Sequence, residues 1–240
     1  MKEGVLQDAV WKTEGAEKRS AVQRMFAEIA PTYDRLNGLI SFSLHKRWRE
    51  FAVTKLNLSM GQKALDVCCG TGDFMIPLRK RVGDSGLVCG VDFCQPMLDV
   101  ARHKKVGDLA LGDACNLPIA SEAFDAVSVG WGIRNVPDID TAHLELFRVL
   151  KHGGRFVSLD MARPANPVVR PIAEWTFNHL VPFLGSLFGK TSAYTYLPKS
   201  TQRFKTRQEL RLSMEQAGFT EVGFSDLMMG NICVHWGKKA

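Results

Sequence analysis

The chain is short of several features that would have fixed its chemistry at once. Its six cysteines, Cys68, Cys69, Cys89, Cys94, Cys115 and Cys233, form no C-x-x-C pair. Adjacent Cys68 and Cys69 project to opposite faces of an extended chain, so a zinc site is not expected and the metal complement is predicted to be none. Small buried thiols in a reducing compartment are predicted instead. His143, His179 and His235 have no ligand-like partners in sequence, and no role is assigned to them. The first twenty residues hold Lys2, Glu3, Asp8, Lys12, Glu14, Glu17, Lys18 and Arg19 with no apolar stretch, which predicts no secretory signal and a cytoplasmic location. The most apolar stretch, near 163–200, is broken by Arg170, Glu174 and His179 and is too short for a bilayer span. There is no internal repeat and no second full domain.

What is present is ordinary globular material: 240 residues, 45% apolar and 23% charged, with a net charge of +6 and a pI near 9.1. That length suffices for one α/β domain with a buried core. The mild basic excess suits an acidic partner such as an anionic membrane surface, and nucleic acid is not expected.

The most informative stretch is Leu65-Asp66-Val67-Cys68-Cys69-Gly70-Thr71-Gly72-Asp73, followed twenty residues after Gly72 by Asp92 at the end of the next apolar run. A buried strand entering a Gly-x-Gly turn lets backbone amides approach a ligand, and an acid about 20 residues on typically receives ribose hydroxyls. The third glycine of the dinucleotide fingerprint is missing, with Met75 in its place. Asp73 falls in the predicted first helical turn, and together with Asp66 it disfavours a pyrophosphate there while tolerating a cationic sulfonium. The motif therefore predicts an adenosine cofactor without a phosphate at the helix.

Apolar runs near 64–67, 87–92, 108–111, 125–129 and 155–160 alternate with helical stretches near 73–82, 96–104 and 140–150. This rhythm predicts an α/β fold with a doubly wound, mostly parallel sheet. Ala142, Leu146, Val149 and Leu150 make one buried stripe, and Lys151 to Gly154 are expected to end that helix. Extended pieces at 219–227 and 231–236 complete seven strands, with an antiparallel one at the edge. One domain is expected: 1–19 flexible, 20–60 a helical lid broken at Pro31 and Asn37-Gly38, 61–162 the cofactor core, 163–206 an inserted apolar cap punctuated by prolines, and 207–240 a helix with edge strands.

Several segments together resemble the ubiquinone/menaquinone biosynthesis C-methyltransferases, a branch of the Rossmann-like class I S-adenosylmethionine-dependent methyltransferases. The resemblance is nearly end to end. It rests on Tyr33-Asp34-Arg35-Leu36-Asn37, Leu65 to Phe74, Gly90 to Phe93, Gly112-Asp113-Ala114, Gly132-Ile133-Arg134-Asn135-Val136, Tyr194-Tyr196-Leu197 and His235 to Lys238. It implies S-adenosyl-L-methionine as cofactor and C-methylation of a demethylated polyprenyl quinol, foremost demethylmenaquinol, with the benzoquinol of ubiquinone biosynthesis as the second substrate. A catalytically silent lipid-binding or assembly module is the reading from another class. A quinol, an anionic membrane surface and a second copy of the chain are the partners allowed for.

Residue by residue, the resemblance places Asp66, Gly70, Thr71, Gly72, Asp92, Asp113, Ala114 and Gly130 around the cofactor. Gly130 stands where many relatives carry serine, and Asp160 where they carry a longer acid, a change expected at the floor of the substrate pocket. Methylating a ring carbon needs electron density from a deprotonated neighbouring hydroxyl. Arg134, always protonated, is the candidate to hold that oxyanion, with Asn135 beside it and Tyr33 reaching in from the lid. The competing reading of Arg134 is a salt bridge that fixes the loop after the fourth strand.

Overall fold

The computed structural model describes residues 15–187 and 191–240, without the side chains of 15–16 and 180–195. The expectations for residues 1–14 and for Phe183, Leu184, Phe188 and the Tyr194 side chain lie outside the described residues. Among the described residues three helices precede the sheet: α1 (Gly15–Ile29), α2 (Tyr33–Ile40) and α3 (Leu44–Thr54), with a 3₁₀ turn (Ala30–Thr32) between the first two. Residues 15–19, expected to be flexible, are already helical. Pro31 does break the helix, since a ring without an N–H cannot continue the ladder. The break expected at Asn37-Gly38 falls instead five residues later, at Phe42 and Ser43, whose φ values are +48° and +59°.

The core alternates strands and helices: β1 (Lys63–Val67), α4 (Met75–Val82), β2 (Leu87–Asp92), α5 (Gln95–Arg102), β3 (Asp108–Leu111), β4 (Phe124–Gly130), α6 (Ile139–Val149) and β5 (Leu150–Met161). Two helices follow where the cap is expected, α7 (Val169–Leu187) and α8 (Thr191–Arg203), then α9 (Arg207–Gln216), β6 (Thr220–Leu227) and β7 (Ile232–Lys238). The sheet order is β3-β2-β1-β4-β5-β7-β6. β1 pairs in parallel with both β2 and β4, and β7 runs antiparallel to β5 and β6. The reversed strand thus lies one place in from the edge. Lys151 to Gly154 do not cap a helix: α6 stops at Val149, and these residues begin β5, where the β4–β5 register shifts between Phe124 and Ala126.

Side chains along β1 alternate between two cores, as the period of a strand requires. Leu65 and Val67 face a cluster with Leu146, Val149 and Met214 from α6 and α9, while Ala64 faces one with Val53, Leu78 and Leu98 from α3, α4 and α5. Helix starts follow from local chemistry. Asp138 accepts the Asp140 and Thr141 amides at the start of α6, and Thr206 forms a reciprocal capping box with Glu209 at α9. The sheet order reverses between β1 and β2 on one side and β4 on the other, so the crevice at the carboxyl ends of β1 and β4 is where a ligand is received.

Candidate functional site

β1 leaves the sheet through a turn in which Cys68, Gly70 and Gly72 all have positive φ. Nothing lies within 4 Å of the point where a Cβ on Gly70 would sit. Its amide donates to Asp92 Oδ2 at 2.8 Å, and the Cys94 amide donates to Asp92 Oδ1 at 2.8 Å. Each carboxylate oxygen keeps lone pairs for further donors. Burial pushes Asp92 up to about 6 against those amide hydrogen bonds. Asp113 accepts the Cys115 amide through Oδ1, and Arg19 of α1 pairs with its Oδ2 at 3.0 Å.

Gly70, Asp92, Asp113, Ala114, Gly130, Asn135 and Tyr33, all expected site residues, line a single cleft of about 680 Å³ counting its mouth. Arg19, Phe26, Phe93, Met97 and Trp131 are among the other residues of its walls, and none of these five was expected at the site. Phe93 stood inside a quoted motif and Met97 lies five residues past Asp92, so proximity to Asp92 was an available signal. Arg19 and Phe26 carried none, because only folding brings α1 across the sheet. Three contacts fasten α1 there: Lys18 Nζ to the Val136 carbonyl at 3.0 Å, Gln23 Nε2 to the Phe93 carbonyl at 2.7 Å, and the Arg19–Asp113 pair.

Four expected site residues do not line the cleft. Asp66 is buried beneath it, accepts Ser128 Oγ at 2.7 Å, has no partner for Oδ2, and is pushed by burial to about 7. Thr71 donates its hydroxyl to Asp34 Oδ1 at 2.6 Å, linking the glycine turn to α2. A Cβ on Gly72 would meet that of Ala101 at 3.3 Å, so this glycine serves the approach of α5. Arg134 is buried against Asp160 and donates to the Trp131 carbonyl at 2.9 Å, with its Nε left unpartnered. Asp160 is therefore the counterion of Arg134 and lines no pocket floor. Burial raises Asp160 in spite of Arg134.

Asp73 precedes α4 and is not exposed to a ligand as a bare charge. Arg49 pairs with it at 3.2 Å and Lys104 binds it too, and these cations outweigh burial and hold it low. Lys104 also pairs with Asp34 at 2.7 Å. Met75, in the place of the third glycine, is fully buried, and its sulfur would lie 2.7 Å from a Cβ on Gly90. The close approach of helix and sheet is thus made by a glycine on the strand. At Gly130 a Cβ would meet the Phe74 ring at 2.6 Å, so a side chain there requires that ring to shift.

Tyr33 reaches the cleft from α2, with Phe26 edge-on at 6.2 Å, and burial raises its phenol above its ordinary value. A neutral phenol is a donor at physiological pH. Asn135 donates Nδ2 to the Trp131 carbonyl at 3.1 Å and accepts the Tyr196 hydroxyl from α8 at 3.0 Å. The cap is thereby tied to the cleft wall. The cleft lining combines carboxylates and open backbone with aromatic surface and a phenol. The acidic part fits S-adenosylmethionine: Asp92 has lone pairs left for ribose hydroxyls, Gly70 leaves open space, and Arg19, the cation of the lining, is paired with Asp113.

Comparison with known proteins agrees with this geometry. Residues 12–239 match the ubiE/COQ5 methyltransferase family. A demethylmenaquinone methyltransferase of Lactiplantibacillus plantarum is 40% identical over 91% of this chain and 95% of its own length. One from Staphylococcus aureus is 41% identical, covering 92% and 94%. Among solved structures, a S-adenosylmethionine-dependent methyltransferase of Thermotoga maritima superposes with a TM-score of 0.66 at 23% identity, over 90% of this chain and 99% of that one. That likeness concerns the fold alone.

Proposed function

Because the chain belongs to the ubiE/COQ5 methyltransferase family, we propose that it methylates a ring carbon of a demethylated polyprenyl quinol, with demethylmenaquinol as the acceptor, at the inner face of the membrane. The observation that supports this reading is the single cleft in which Asp92 and Asp113 share one space with Tyr33, Phe26 and Trp131. S-adenosylmethionine bound at the acidic part supplies an electrophilic methyl group on a sulfonium. Asp92 receives the ribose hydroxyls, and Asp113 with Ala114 flanks the adenine. Helix α1 closes over them and keeps water from the reacting atoms, so that orientation and desolvation supply most of the rate.

At the aromatic part the acceptor ring lies under Tyr33. Its phenol, kept neutral by burial, donates to the quinol oxygen as negative charge develops there. Held by Asp92, Asp113 and Ala114, the cofactor would supply its sulfonium methyl to the ring carbon and be left as the neutral thioether, and one proton would be released to solvent when the cleft opens. Arg134 acts from behind the wall. Paired with Asp160, it contributes positive potential near Tyr33 and fixes the loop that presents Asn135. This joins the two readings of Arg134, with the structural one dominant.

The test is methylation of demethylmenaquinol by the purified chain, read by mass spectrometry, alongside calorimetry of cofactor binding. Tyr33→Phe is expected to lower turnover by about 10- to 100-fold with cofactor affinity unchanged, the usual scale for one oxyanion donor or less. No methylated product from the native chain would sink the substrate reading, and unchanged turnover in Tyr33→Phe would remove its donor role.

A further inference from the structure

The exposed large apolar side chains are not scattered evenly. Leu39 and Phe42 stand on the α2–α3 turn, with Phe42 82% exposed; Val168, Ile172 and Trp175 stand at the start of α7; and Met228 and Met229 form the β6–β7 turn. Three fastenings hold these segments side by side. Ile40 and Phe177 share one hydrophobic cluster, so α2 and α7 pack together. Arg207 bridges the other junction, donating to the Arg163 carbonyl at 2.6 Å and the Gly230 carbonyl at 2.7 Å. The Ala162 amide also donates to the Asn231 carbonyl at 2.8 Å. All three follow or cover the carboxyl ends of the strands, the edge on which the cleft opens.

The helical part is a stripe. Val168, Ile172, Trp175 and His179 recur at i, i+4, i+7 and i+11, and Trp175 stacks on His179 at 5.0 Å. The opposite face of α7 is the packed one, through Phe177. Phe42 is held outward by a rigid turn: its own amide donates to the Leu39 carbonyl at 3.1 Å and the next one to Gly38 at 2.8 Å.

Basic residues predominate around the rim, its carboxylates Glu174 and Asp226 each being paired with arginine. Arg35, Lys46 and Arg47 are exposed on α2 and α3, while the carboxylates near them are engaged elsewhere, Asp34 by Lys104 and Glu50 by Lys80. Arg163, just ahead of α7, and Arg170 of α7 share the single carboxylate of Glu174. Three cations farther along the chain are committed to pairs of their own. Lys205 pairs with Asp140, Arg207 with Asp226 and Arg211 with Glu215.

We infer that this rim, the α2–α3 turn, the first half of α7 and the β6–β7 turn, is a docking surface for an anionic lipid bilayer. Phe42 and Trp175 enter the headgroup region, and Arg35, Lys46, Arg47 and Arg170 meet the anionic headgroups. Tryptophan with flanking cations is the composition that settles at a lipid–water interface, and apolar burial with basic attraction is how a chain lies on a bilayer without crossing it. Among the described residues no helix is long and apolar enough to cross one. The inference rests on the acceptor being a bilayer resident, as proposed above, and identifies the face through which it enters the cleft.

The test uses the full chain and sedimentation with vesicles of equal parts phosphatidylglycerol and phosphatidylcholine, with pure phosphatidylcholine as comparison. The native chain is expected to bind the anionic vesicles and to be released by salt. Phe42→Ser with Trp175→Ser should weaken partitioning by about tenfold or more, and Lys46→Glu with Arg47→Glu should remove the salt-sensitive part. Arg81→Glu with Lys105→Glu, the same charge change at the opposite edge of the sheet, should change binding little. Absence of native binding, or equal loss in that control, overturns the surface. Turnover is read in parallel on a demethylated quinol with a short, water-soluble tail. The Phe42/Trp175 variant should keep that turnover and lose it on acceptor embedded in vesicles. A native chain that methylates the soluble acceptor without binding vesicles would leave the function standing and the docking surface refuted. One that binds vesicles but methylates no quinol would do the reverse.

Discussion

Asp66 and Asp92 sit one strand apart, both lifted by burial, yet they are put to different uses. Asp66 has no route to the cleft, and its unpartnered Oδ2 is best satisfied by a proton. Its folded pKa of about 7 lies above the ordinary 3.8, so its stabilising contribution is full below the ordinary value and is lost as pH rises through 7. Between about pH 6 and pH 9 that loss is on the order of 1 kcal/mol for the native chain and none for Asp66→Asn, given a folded pKa of about 7. Urea unfolding at the two pH values measures the difference, and parallel curves for the two proteins would reject it. The comparison belongs on the alkaline side because buried His45, His143 and His235, lowered to about 4, cost stability as pH falls below their ordinary value. Gly130 gives a second test at this scale. Gly130→Ser drives a Cβ to 2.6 Å from the Phe74 ring and should cost about 1–3 kcal/mol, with part recovered by adding Phe74→Leu. A thermal melt in which Gly130→Ser is neutral would show that Phe74 moves freely.

The lid, the glycine turn and α5 meet in one ion cluster. Lys104 lies between Asp34 of α2 and Asp73 of the turn, Thr71 donates to Asp34, and Arg49 of α3 balances Asp73. Replacing Lys104 by Met leaves two carboxylates facing each other across the α2 junction. The expected result is an α1–α2 segment that opens more readily, seen as faster tryptic cleavage within residues 15–40 in the absence of cofactor. Cleavage at the native rate would mean that the remaining contacts of α1 and α2, among them the packing of Leu36 with Met97 and the Arg19–Asp113 pair, hold the lid without Lys104. The elements themselves were largely legible in sequence, since strand alternation and helix stripes repeat over many residues. The exceptions were local. Asn37-Gly38 reads as a break, yet α2 runs through it because Leu36 and Ile40 on either side bury one face against α5 and α7. Lys151 to Gly154 reads as a stop, yet β5 begins there because Leu150 already pairs with Phe124.

For the whole molecule, cofactor affinity should follow Asp92. Its carboxylate is fully ionised well above its pKa of about 6, so affinity should be flat on the alkaline side and fall as pH drops through that value, approaching tenfold per unit. Calorimetry across that range checks it, and Asp92→Asn should remove the dependence together with most of the affinity. A flat profile in the native chain would mean that the ribose is held by backbone alone. Arg19 belongs to the same scale, because it links the farthest helix in sequence to the cofactor part of the cleft. Arg19→Ala should raise the cofactor dissociation constant several-fold and leave the intrinsic fold intact, since the pair it loses is half exposed.

The sequence by itself determined the alternating fold, the glycine turn with its acid twenty residues on, and the family to which these belong. Those features are periodic or contiguous, and a strand, a turn and a strand-end acid are adjacent in the chain before they are adjacent in space. Only the tertiary structure decided which charged groups face the ligand. Asp66, Thr71, Asp73 and Arg134 stand in the same motifs as Asp92 and Asn135, but each found a closer partner, in Ser128, Asp34, Lys104 with Arg49, and Asp160. A buried polar group is held by whichever partner folding brings beside it, and those partners lie 24 to 62 residues away along the chain. No reading of local pattern contains that distance. The same reason hid Arg19 and the apolar rim, which become a wall and a surface only when α1, α7 and the β6–β7 turn are folded to one edge of the sheet.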